Sequence, residues 1–180
     1  MRAFSWIVLV IWIAAGCNEE RPQGPLVFFD LKEFLTAEED RLGGHFDVVK
    51  TVEVNGKPET IEYNAYSWES ELDLLKQWDI NRPAWHDQYQ RDTISDGLRR
   101  HIRYRCIEKD LQVQSMEIWQ NGKQVDSILI RTEVDNPLRT THGIYLYKPE
   151  VGLEFSQLSS RRFGSKQDLS VTLLLSGPVD

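Results

Sequence analysis

Arg99, His101, Arg103 and Arg105 form the densest run of reactive side chains in the chain. In an extended strand side chains alternate between faces, so these four share one face about 6.6 Å apart, while Ile102, Tyr104 and Cys106 point the other way. Such a positive rail suits an anionic head group, a sugar acid or an acidic partner, held through bidentate guanidinium contacts. The same pattern also suits a solvated outer face whose charges are met across the sheet by Glu117, Asp126 or Glu133. A second cluster, Trp68, Trp78, Trp85 and Tyr89, could line a ligand mouth or simply pack as core.

Other chemistry is thinly represented. The four histidines, at 45, 86, 101 and 142, do not have the i, i+4 spacing of a helical zinc site, and no cysteine pair lies near them. His142 has the strand parity of Leu138, Ile144 and Leu146, which predicts a hydrogen-bonded core histidine. The chain has no G-x-S-x-G, no Walker A loop, no C-x-x-C and no dinucleotide-binding glycine run. The sequence therefore points to no catalytic residue, no metal site and no cofactor.

These side chains must be positioned by a short list of elements. Asp30 with Glu33 reads as a helix start, Leu31, Phe34, Leu35 and Leu42 keep helical spacing, and Gly43-Gly44 ends the run. From Phe46 to Tyr63 the pattern turns strand-like around Asn55-Gly56, a dipeptide that accepts positive φ and suits a tight hairpin. A second helix is predicted from an N-cap at Ser67, with Trp68, Leu72, Leu75 and Trp78 on one face; Pro83 stops any continuation. After Gly97 the chain reads as strands over 98–108, 111–120, 123–134, 138–148, 151–162 and 168–176. Links this short force antiparallel pairing. The expected fold is α+β: an open, curved antiparallel meander of about eight strands, the N-terminal hairpin included, with two amphipathic helices packed on one face.

Composition sets the outer bounds. The chain has 180 residues, a formal net charge of -7 and 41% hydrophobic residues, which suits one globular domain. The acidic balance argues against a sequence-independent nucleic-acid binder, because that binding rests on neutralising phosphates with Lys and Arg. With two cysteines no disulfide framework is available, and Cys106 is expected to be inward-facing and inert.

The N-terminus supplies an address. One arginine, the apolar run Phe4–Ala15 and then small residues read as a secretory signal, too short for the ~20 residues a membrane-crossing helix needs. Ala14-Ala15-Gly16-Cys17 resembles the lipobox of bacterial lipoproteins, although Ala14 stands where that motif usually carries Leu. The resemblance implies cleavage before Cys17 and its acylation, so residues 1–16 are expected to be a signal peptide, 17–26 a tether and 27–180 the domain. Asn18 in place of Asp favours the outer membrane, facing the periplasm. The stretch Asp79-Ile80-Asn81-Arg82-Pro83-Ala84-Trp85 resembles one in uncharacterised small lipoproteins of Bacteroidota, a likeness that implies no activity. An open sheet under helices is also similar in architecture to the lipoprotein-receptor fold. The expected function is a non-catalytic binding module for an apolar ligand or an envelope partner. The alternatives are a structural accessory of an envelope complex, or a hydrolase with an unrecognised site.

Overall fold

The computed structural model describes residues 27–43, 46–108, 110–162 and 164–178. Cys17, the apolar leader and the tether lie outside them. The order of elements is α1 (Leu31–Leu42), β1 (Phe46–Val54), β2 (Lys57–Tyr63), α2 (Glu69–Lys76), a single 3-10 turn (Pro83–Trp85), β3 (Tyr89–Asp96), β4 (Arg99–Cys106), β5 (Val113–Asn121), β6 (Gln124–Asn136), β7 (Arg139–Lys148), β8 (Gly152–Arg161) and β9 (Lys166–Pro178).

All nine strands join one antiparallel sheet in the order β2-β1-β9-β8-β7-β6-β5-β4-β3. Strands β3 to β9 run as a plain meander, and the β1–β2 hairpin docks on β9. The outermost strands β2 and β3 do not pair with each other, so the sheet stays open. Asn55 and Gly56 both take positive φ, 51° and 79°, the geometry that a tight two-residue hairpin requires.

The helices cover one face. Leu31, Leu35 and Leu42 of α1, with Trp68, Leu72 and Leu75 on and beside α2, are buried. Opposite them stand Ile102, Tyr104, Met116, Ile118, Ile130, Tyr145, Tyr147 and Leu173 from alternate positions of the strands. Each helix also carries one buried glutamate that the sheet answers. Glu38 of α1 accepts from the Tyr147 hydroxyl at 2.6 Å and from Arg41. Glu71 of α2 accepts from Lys50 Nζ at 2.9 Å and from the Tyr66 hydroxyl at 2.6 Å. A buried charge without such partners would cost several kcal/mol, so these pairs fix where each helix sits.

The strap between α2 and the 3-10 turn is buried too. Asn81 Oδ1 accepts from the Phe28 amide at 3.0 Å, and its Nδ2 donates to the Phe29 carbonyl at 2.8 Å. The Asp79-to-Trp85 stretch thus ties the segment leading into α1 to the chain leaving α2.

Four readings of the sequence need correcting. First, β3 is a ninth strand: its polar, mostly exposed residues hide the strand period, and its hairpin with β4 turns at Gly97, where the meander was expected to begin. Second, α2 is capped at Trp68 and makes no side-chain cap bond, so Ser67 does not act as the cap; burial of the indole holds this end instead. Third, His142 is exposed on the uncovered face with Ile144 and Leu138, while Tyr145 and Tyr147 face the core. Ring burial by the tyrosines outweighs the aliphatic parity. Fourth, Cys106 has the expected core-side parity and packs against the core, but at the end of β4 it is only partly buried.

Candidate functional site

On the uncovered face, strand alternation does place His101, Arg103 and Arg105 side by side, opposite in direction to Ile102 and Tyr104. They do not form a free positive rail. Glu117 of β5, only 6% exposed, sits among them: its Oε2 lies 2.9 Å from His101 Nε2 and accepts from Arg103 at 2.9 Å, and its Oε1 accepts from Arg131 at 2.8 Å. Burial pushes this carboxyl up, but the three donors outweigh it and hold it below the ordinary range. Arg105 pairs with Asp92 of β3 at 2.5 Å. Cross-strand neutralisation by Glu117 was legible in the sequence. Asp92 was missed, because β3 was not read as a strand, and Arg131 was not expected to take part. Of the four, Arg99 alone makes no ion pair among the described residues. It borders a shallow hollow of about 160 Å³ with Ile94, Asp96, Trp119 and Asp126, where the His101 ring stacks flat on Trp119 with centroids 4.5 Å apart.

The four aromatic candidates are dispersed. Trp68 is fully buried, edge-on to Tyr66. Trp85 and Tyr89 meet at the opposite edge of the sheet, where Arg82 lies 4.3 Å over the Trp85 ring and the Tyr89 hydroxyl donates to the Val113 carbonyl. Trp78 packs over Tyr145, ring centroids 5.6 Å apart. Of these four, Trp78 borders a cleft on the covered face.

That cleft, about 280 Å³, lies between the C-terminal end of α2 and strands β6 to β8. Leu74, Gln77 and Trp78 roof it, and Val134, Thr141 and Tyr145 floor it. Leu74, Trp78, Val134 and Tyr145 form an apolar patch in it, and the other lining residues are polar. The buried indole N–H groups of Trp78 and of core Trp68 make no hydrogen bond of ordinary geometry, and that of Trp78 interacts with the Tyr145 hydroxyl. The Tyr145 hydroxyl accepts from Gln157 at 2.8 Å, and burial raises its pKa. Arg139 closes one end; its Nε donates to Thr141 Oγ1 at 3.0 Å, and it has no carboxylate partner among the described residues. Gly143 makes room for the Tyr145 ring in the floor. A Cβ there would fall 2.5 Å from Thr132 Oγ1 and 2.8 Å from Tyr145 Cε2, so any side chain would displace the tyrosine ring.

A small-molecule site joins apolar surface to convergent polar groups, and this cleft has both, with a volume just below the ~300–1,000 Å³ range of such sites. Sequence reasoning found Trp78 and missed Arg139, Tyr145 and Gly143. The available signal was the glycine inside an otherwise β-rich strand, next to the tyrosine that needs its space. Among the described residues no group of His, Cys, Asp and Glu is arranged to hold a metal ion, and no helix is long and apolar enough to cross a membrane.

Fold and cleft define a class: an α+β protein with two helices laid over one face of an open antiparallel sheet. The chain matches no family model, no curated protein and no solved structure at a significant level.

Proposed function

We propose that this protein is a non-catalytic binding module, a lipoprotein held at the periplasmic side of the outer membrane through acylated Cys17, that takes a small ligand with an apolar part into the cleft beneath α2. The observation that carries this reading is the cleft itself: a hollow on the covered face where an apolar patch of Leu74, Trp78, Val134 and Tyr145 meets a ring of polar side chains. Elsewhere the same face is filled by interlocking leucines, isoleucines and tyrosines, so the opening beside Trp78 is a local departure from close packing.

The test is a titration of the full-length protein in nanodiscs of zwitterionic lipid with six-carbon amphiphiles, followed through the indole N–H resonance of Trp78, assigned with Trp78→Phe. A saturable shift that disappears in Val134→Trp, which fills the cleft, is expected. If no six-carbon compound moves the resonance saturably, the cleft is not a ligand site.

A second reading has its own support. On the uncovered face Ile144, Leu158 and Leu174 remain 43–47% exposed, which suits an accessory subunit that docks an envelope partner there. Loss of a partner on Leu158→Lys, with the Trp78 titration unchanged, would favour it.

A further inference from the structure

Beyond Arg139, the cleft opens towards a larger hollow of about 570 Å³ at the ends of β6, β7 and β8. Asn136 and Arg139 border both spaces, so the two are neighbours along one rim. The hollow is bordered also by Asp135, Thr140, Arg161 and Arg162.

The charge there is unbalanced. Arg139 and Arg161 are direct partners in the β7–β8 register, so two guanidinium-bearing side chains leave the sheet from opposed positions on the same face. Like charges placed opposite each other on a sheet are destabilising. Neither arginine makes an ion pair among the described residues, and neither does Arg162. The one carboxylate on the rim, Asp135, has its Oδ1 engaged by the Thr140 hydroxyl. On the rail of β4, by contrast, Glu117 or Asp92 answers His101, Arg103 and Arg105. The sheet thus neutralises three of the four basic residues on β4, while at the end of the cleft Arg139, Arg161 and Arg162 stand together with no ion pair among the described residues.

Resting on the binding-module reading, we infer that the ligand is an anionic amphiphile: its apolar part lies under Trp78, and its carboxylate or phosphate monoester is held at the rim by Arg139, with Arg161 and Arg162 supplying further charge. Guanidinium groups suit both head groups because their N–H donors match paired anionic oxygens. The cleft is short, so a chain of about six carbons is the natural probe.

The experiment compares hexanoate and hexyl phosphate with uncharged hexanol in the same nanodisc titration. The anions are expected to bind at least tenfold more tightly than hexanol. Arg139→Gln should abolish most of that difference, and Arg139→Lys should retain part of it. A shift of the Trp78 resonance produced by phosphatidylglycerol nanodiscs without added amphiphile, and lost in Arg139→Gln, would support the same chemistry with a lipid head group as its source. Equal affinity for hexanol and hexanoate would overturn the anionic class while leaving the cleft as a site. No saturable shift with any of the three would overturn the binding-module reading beneath it.

Discussion

The indole of Trp78 lies over the ring of Tyr145, centroids 5.6 Å apart and planes inclined by 45°, so the chain leaving α2 roofs the part of β7 where that ring lies across Gly143. Roof and floor come from residues 67 positions apart, and the cleft exists only while α2 is held in place.

Gly143 sets the shape of that floor. Gly143→Ala drives a methyl into Thr132 and the Tyr145 ring, and overpacking of this kind costs about 1–3 kcal/mol. The expected result is a lower melting temperature together with weaker hexanoate binding. Unchanged binding with lowered stability would separate the glycine from the cleft.

Glu71 holds α2 to β1. Glu71→Ala strands Lys50 and the Tyr66 hydroxyl, and breaking a largely buried pair costs about 3 kcal/mol, which lowers Tm by roughly 10 °C in a domain of this size. Burial alone would raise the Glu71 pKa, but the bonds from Lys50, Tyr66 and Ser70 bring it below the ordinary carboxylate value. Its contribution is therefore present above the unfolded value of about 4.3 and is lost as pH falls through the lower folded value. A pH series of thermal melts, with wild type and Glu71→Ala converging at acid pH, checks this.

Asp79 behaves in the opposite sense. It is buried with only Asn81 donating to it, and burial raises its pKa. A raised acid favours folding below its unfolded pKa of about 3.9, and that contribution is lost as pH rises through the folded value. Asp79→Asn, whose amide oxygen can still accept from Asn81, should melt higher than wild type at pH 7, with the gain vanishing at low pH. A lower Tm for the variant at pH 7 would show that the carboxylate is needed in its charged form.

The basic face of β4 is expected to be structural. Replacing Arg99, Arg103 and Arg105 together by Gln removes the half-exposed Arg105–Asp92 pair, which contributes at most ~1 kcal/mol, and one of the three partners of buried Glu117, which keeps Arg131 and His101, so Tm should drop by several degrees without loss of the fold. Hexanoate binding should be unaffected. A large loss of ligand affinity would move the anion site to this face.

Cys17→Ser is expected to leave the protein unprocessed or released from membranes, since stable anchoring requires more than one acyl chain. Normal cleavage and continued membrane partition of this variant would remove the lipid anchor from the account.

Much of the architecture was legible because its signals are local. Asp30 accepts from the Glu33 amide at 2.9 Å, as the cap spacing implied, and Trp68, Leu72, Leu75 and Trp78 are all buried as their helical spacing required. β3 was not legible: a strand at the sheet edge needs few apolar residues, so its period is weak. His142 was misread because parity says which residues share a face and leaves open which face is covered. The cleft was beyond reach for a related reason. Tyr145 and Arg139 acquire their meaning from α2 and β8, which only the tertiary fold brings to them.

The most direct measurement is of intermolecular nuclear Overhauser effects between bound hexanoate and the full-length protein in nanodiscs. The account predicts contacts from the alkyl protons to the Trp78 indole N–H and to Leu74 or Val134, with the carboxylate end nearest the Arg139 side chain. Contacts confined to the uncovered face, at Ile144, Leu158 or Leu174, would contradict it.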